Sequence, residues 1–192
     1  MSLIRGKAMF AEQKQQGEAA RQELEEDVSR EDIVAAFRLA MVDHFRSHIP
    51  GTNINESTLL ASDYLNHFHE LVMLLEALAT DPDDFAEDLA AWRPLTYEEH
   101  FSFSGFRDKN LAIAAYRRAP QQTREAFDQA VERLHGEAVM VIAIIRSELA
   151  SDDRSALPAR CYQAGERLTV LIDAANAIAV GGDGAATDFG GE

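Results

Sequence analysis

The chain has 192 residues, enough for one well-buried core, and its 46% apolar and 27% charged residues are those of an ordinary globular protein. A net charge of −15, from 18 basic and 33 acidic residues, argues against binding a nucleic-acid backbone or an anionic membrane, since either would repel such a surface. The single cysteine, Cys161, excludes an intramolecular disulfide and a multi-thiolate zinc site within one chain.

Residues 1–7 are basic but contain no apolar signal core, so a cytoplasmic address is expected. Residues 5–28 are rich in Gln, Glu and Ala, with only Met9, Phe10 and Leu24 as apolar anchors. Residues 1–28 therefore read as a polar arm or a loosely attached helix, with helix propensity but no face to bury. Ser29-Arg30-Glu31-Asp32 then has the form of a capping box. The helix it opens carries Ile33, Phe37, Ala40, Met41 and His44 on one stripe and ends at Pro50-Gly51.

Asn55 to Ser57 is expected to cap the next helix, which runs to about residue 79. Its stripe is Leu60, Tyr64, Phe68, Leu71, Leu75 and Leu78, the clearest helical period in the chain. Asp81-Pro82-Asp83-Asp84 starts a short helix, with a capping Asp, Pro at the first helical position and carboxylates over the positive end of the dipole. Thr96-Tyr97-Glu98-Glu99 is a second capping box, followed by Phe101, Phe103 and Phe106 as an aromatic plug around Gly105. Residues 107–118 form another short helix.

The longest helix is predicted over residues 120–150, with a near-heptad seam of Phe127, Val131, Leu134, Ala138, Val141, Ile145 and Leu149. Its longest apolar run, residues 138–145, falls far short of the ~20 residues of a membrane span. Gly136 inside this helix costs about 1 kcal/mol relative to Ala and suggests a close approach by another group. The last helix has its seam at Cys161, Leu168, Leu171, Ile172, Ala175 and Ile178, and Gly181-Gly182 stops it. The expectation is an all-α, antiparallel bundle of about four core helices over residues 29–180, with a disordered acidic tail at 181–192.

Two polar ridges carry the candidate chemistry. Asp63, His67 and Glu70 lie at i, i+4 and i+7, and Asp128, Glu132 and His135 repeat that spacing on the long helix. Two antiparallel helices could bring them together as a nitrogen–oxygen ligand set for a divalent ion such as Fe, Mn or Zn, with His44 as a further nitrogen. Glu132-Arg133-Leu134-His135 is the Glu-x-x-His of di-iron carboxylate bundles, but the other ridge supplies only a reversed His-x-x-Glu. A metal-dependent oxidoreductase is therefore one reading, and interhelical salt bridges are the plainer one.

The other reading is a non-catalytic helical regulatory or interaction protein that forms a homodimer through helix 120–150. Ile142 and Ile144 add apolar surface there beyond the seam.

Overall fold

The computed structural model describes residues 29–182, and the calls on the arm at 1–28 and on the tail from residue 183 lie outside the described residues. Among the described residues there are seven α-helices: α1 (Arg30–Arg46), α2 (Asn66–Thr80), α3 (Pro82–Ala91), α4 (Tyr97–Phe103), α5 (Lys109–Tyr116), α6 (Gln121–Leu149) and α7 (Leu157–Ala179). They include no strand; Ile54 and Ala61 form an isolated antiparallel bridge, and a 3-10 turn, Ser62–Leu65, leads into α2. These residues divide into two units between His44 and Phe45.

In the first unit, the expected box starts α1. Asp32 N–H donates to Ser29 Oγ at 3.0 Å, and Ser29 N–H donates to Asp32 Oδ2 at 3.2 Å. The apolar stripe predicted for this helix is not a core face. No residue of α1 is buried, and Ile33 and Phe37 are 58% and 65% exposed.

The second unit is organised by α7, which packs against both α2 and α6. Its contacts give the directions. Glu148 pairs with Arg160 at 3.0 Å and Glu137 with Arg167 at 2.7 Å, so α6 and α7 run antiparallel. On the other side, Thr58 Oγ1 donates to Ala179 O at 2.6 Å, while Val72 Cγ1 lies 3.6 Å from where a Cβ on Gly165 would be. That ordering makes α2 antiparallel to α7. Leu60, Tyr64, Phe68, Leu71, Leu75 and Leu78, the whole predicted stripe, are each 0% exposed. Phe127, Leu134, Ala138, Val141 and Ile145 of α6 and Cys161, Leu168, Ile172 and Ala175 of α7 complete the core.

The segment before α2 departs from expectation. Asn55 caps a turn and not a helix: its Oδ1 accepts from the N–H groups of Ser57 and Thr58, at 2.9 and 3.0 Å. Leu59 follows at φ 60°, a left-handed conformation that costs a non-glycine residue roughly 1–2 kcal/mol. The gain is burial: Leu59, Leu60 and Ala61 are consecutive and all buried. Three successive side chains cannot share one helical face, so the chain turns through this region and enters α2 only at Asn66.

At the far end, Gly181 (φ 77°) ends α7 in a Schellman arrangement. Its N–H donates to Ile178 O and that of Gly182 to Ala177 O. A Cβ at Gly181 would also meet Ser57 Oγ at 3.0 Å.

Two further expectations are corrected. Phe101 is buried against Phe106, but Phe103 is 74% exposed and plugs nothing. Its position is a matter of phase: α4 runs through Phe103, and residues 101 and 103 point to different sides of it. At Gly136 an added Cβ would meet nothing within 4 Å among the described residues, so no described element packs closely on it.

Candidate functional site

Of the predicted ridges, His67 and Glu70 stay together, with His67 Nδ1 3.8 Å from Glu70 Oε2, and among the described residues the other members have separate partners or none. Asp63 stands on the 3-10 turn, where each residue advances about 120° and not the 100° of an α-helix. The spacing that aligned it with His67 and Glu70 therefore does not apply, and Asn53 Nδ2 donates to Asp63 Oδ1 at 3.1 Å. Asp128 is exposed and accepts from the Tyr116 hydroxyl at 2.8 Å. Glu132 and Glu70 are exposed, and His44 is exposed on α1. Among the described residues, no group of three or more His, Cys, Asp or Glu side chains is placed to hold a metal ion.

His67 and His135 do converge, on the connection between α3 and α4. His67 is 7% exposed, and its Nε2 lies 2.8 Å from Arg93 O. A carbonyl only accepts, so this nitrogen carries the proton. The Trp92 indole stacks on the imidazole at 4.7 Å and 10°, and Trp92 Nε1–H donates to His67 O at 3.3 Å.

Two residues away along the same connection, the Tyr64 hydroxyl donates to Leu95 O at 2.7 Å. His135 Nε2 is 3.2 Å from both that carbonyl and the Tyr64 oxygen, so it too acts as the donor. Both imidazoles thus spend Nε2–H on holding the backbone of residues 93–95 against α2 and α6.

His100 joins this cluster and was not singled out from the sequence. Its ring meets Tyr64 edge-on at 5.6 Å and lies 6.1 Å from His67. The usable signal was the second capping box, which forms as expected, with Glu99 N–H donating to Thr96 Oγ1 at 3.2 Å and Thr96 N–H donating to Glu99 Oε2 at 2.9 Å. A helix starting at Tyr97 places residues 97, 100 and 101 on one inner face.

Burial is the first cause of the electrostatics here. It lowers the pKa of His100, His67 lowers it further, and Glu70 and Asp63 partly oppose the shift. Burial likewise lowers His135; the Leu95 carbonyl and Glu99 raise it, and His67 adds to the lowering.

The sign follows directly. An unfolded histidine takes up its proton near pH ~6.5, and these two do so lower in the folded protein, so the unfolded state binds more protons in between. Unfolding free energy is expected to be flat from about pH 8 to 7 and to fall as pH drops below ~6.5, before the carboxylates titrate. Urea midpoints measured from pH 8 to 5 check this, and a midpoint unchanged at pH 5 refutes it.

Chemically the pair His67 and His135 is a clasp: each gives its Nε2–H to a backbone carbonyl, over an aromatic floor of Tyr64, Phe68 and Trp92. The one thiol, Cys161, is buried and its pKa is pushed up to about 11, so it is not an activated nucleophile.

A different kind of site lies on the outer face of α6. There Gly136, Val139, Met140, Ala143, Ile144 and Ser147 are all exposed and recur at helical spacing. Val139 and Met140 are 54% and 50% exposed, and Ile144 is 38%. The ion pairs Glu137–Arg167 and Glu148–Arg160 border the stripe on one side, which gives it an apolar centre and a charged rim.

No family model matches this chain, and neither the curated proteins nor the solved structures include a significant match to it.

Proposed function

We propose that this chain is a non-catalytic, cytoplasmic helical protein whose role is association, and that it forms a homodimer through α6. The observation that carries the reading is the exposed apolar stripe from Gly136 to Ser147 with its charged rim. Val139, Met140, Ala143 and Ile144 are exposed apolar side chains in register over nearly two turns, and such a patch costs solubility unless another surface covers it. The rest of the chemistry agrees: His67 and His135 spend Nε2–H on the backbone carbonyls of residues 93 and 95. The metal-dependent alternative has less support, since of its seven candidate ligands only His67 and His135 approach one segment. No helix of the described residues is long and apolar enough to cross a membrane, and a net charge of −15 opposes docking of the stripe on an anionic lipid surface.

Light scattering at micromolar concentration tests this. The expected mass is twice the 21.2 kDa of one chain. Ile144→Glu is expected to halve it while the circular-dichroism helicity is retained, because it is the neighbouring Ile145, 1% exposed, that belongs to the core. A wild-type mass of one chain at every concentration overturns the proposal.

A further inference from the structure

We infer that two copies of α6 pair in antiparallel orientation about a two-fold axis near Val139 and Met140, with Glu132 of each copy beside Arg146 of the other. This rests on the self-association just proposed and adds its geometry and its electrostatic selectivity.

The argument begins with the two ends of the stripe. Glu132 and Arg146 are both exposed and lie two heptads apart, so they stand on the same edge of the helix at opposite ends of the apolar patch. Among the described residues neither forms an ion pair, whereas Glu137 and Glu148 on the opposite edge are already paired with α7. A parallel two-fold pairing would leave Glu132 and Arg146 of the two copies on opposite sides of the seam and two heptads (~21 Å at 1.5 Å per residue) apart along it, so neither could pair with the other. Antiparallel pairing satisfies both, twice over by symmetry. The choice matters for a chain of net charge −15, which has general repulsion to overcome when two copies meet.

The apolar residues agree with the same axis. Antiparallel pairing about Val139 and Met140 puts Gly136 of one copy opposite Ala143 of the other. The space over Gly136 is open, with nothing within 4 Å of where its Cβ would be. Small residues thus sit on either side of a larger central pair, and the two backbones can approach closely. A glycine in the interior of a long helix, unfavourable for the isolated chain, acquires a role in the pair.

Charge reversal tests the orientation. Dimer dissociation constants from sedimentation are expected to rise about tenfold for Arg146→Glu and for Glu132→Arg, since each turns two attractive contacts into repulsive ones of order 1 kcal/mol in all. The double variant, in which the charges are exchanged, is expected to return within about threefold of wild type. If the double variant is as weak as the two single effects multiplied, the antiparallel arrangement is wrong.

Cysteine cross-linking gives an independent readout, and Cys161, at 1% exposure, does not compete. Met140→Cys, near the axis, should form a disulfide with its own copy. Gly136→Cys and Ala143→Cys should link only when the two variants are mixed. In a parallel pair every one of these would link to itself, and that pattern overturns the inference.

The outcomes separate the two proposals. A monomeric wild type removes both; a dimer broken by Ile144→Glu but indifferent to charge reversal removes the orientation alone.

Discussion

Replacing Phe68 by Ala is expected to remove about 3–5 kcal/mol of unfolding free energy, a large part of the ~5–15 kcal/mol that a domain of this kind possesses. The side chain is 0% exposed at the centre of the clasp. Its ring meets Tyr64 edge-on at 5.8 Å, lies 5.4 Å from His135 and 6.2 Å from Trp92, and is flanked by His67 at 5.7 Å.

Truncation therefore removes transfer energy and leaves a cavity. The surrounding rings cannot collapse into it, because Tyr64, His67 and His135 are held by hydrogen bonds to the backbone at 93 and 95. Met73→Ala is the control: the same helix, but 60% exposed, with an expected effect within about 0.5 kcal/mol. Urea unfolding followed by the emission of Trp92 measures both. Equal midpoints for the two variants would show that Phe68 is not where the core is.

That the stripe running from Leu60 through α2 could be read as buried has a simple cause, although Leu60 and Tyr64 precede the helix. Leu60, Tyr64, Phe68, Leu71, Leu75 and Leu78 are large and aliphatic or aromatic, spaced at three and four, and every one is buried. Burial of one face is what that period encodes. The same period was present at Ile33, Phe37, Ala40 and Met41, yet α1 buries none of them. Periodicity reports that a face is apolar; it does not report whether this chain supplies the surface that covers it.

The polar ridges are less legible for a related reason. Spacing along a helix says which side chains share a face only if all of them are on the helix, and Asp63 is not. Nor does spacing reveal backbone acceptors. Arg93 O and Leu95 O belong to an irregular connection, and they determine what His67 and His135 do. Imidazoles beside carboxylates on a helix read as ligands until those carbonyls are located. On α6, by contrast, the surplus of apolar residues was legible. The pattern marks the surplus at Ile142 and Ile144, of which Ile144 is exposed and Ile142 half-buried in the fold; Val139 and Met140, not read from the pattern, are more exposed than either.

Tyr97→Phe is expected to cost about 1–3 kcal/mol although it deletes a single oxygen. Ala61 is 0% exposed, and its N–H donates to the Tyr97 hydroxyl at 2.9 Å. Ala61 lies where the chain, having passed through the left-handed turn at Leu59, bends toward α2, so no regular helix supplies it with a carbonyl. Without the hydroxyl a buried donor is left without an acceptor, and a buried N–H pays its full desolvation cost when unpaired. The ring itself is expected to stay in place, stacked on Tyr116 at 4.4 Å and 16° and packed at 4.8 Å from Phe101.

The same deletion at Tyr116 provides the contrast. Its hydroxyl donates at 2.8 Å to Asp128, which is exposed and can turn to water once the hydroxyl is gone. Tyr116→Phe is therefore expected to cost less than about 1 kcal/mol. Urea midpoints at constant m-value report the difference, and amide exchange at Ala61 should accelerate in the first variant only. Equal losses at Tyr97 and Tyr116 would mean that Ala61 N–H has another partner and that the turn into α2 does not depend on α4 for its hydrogen bonding.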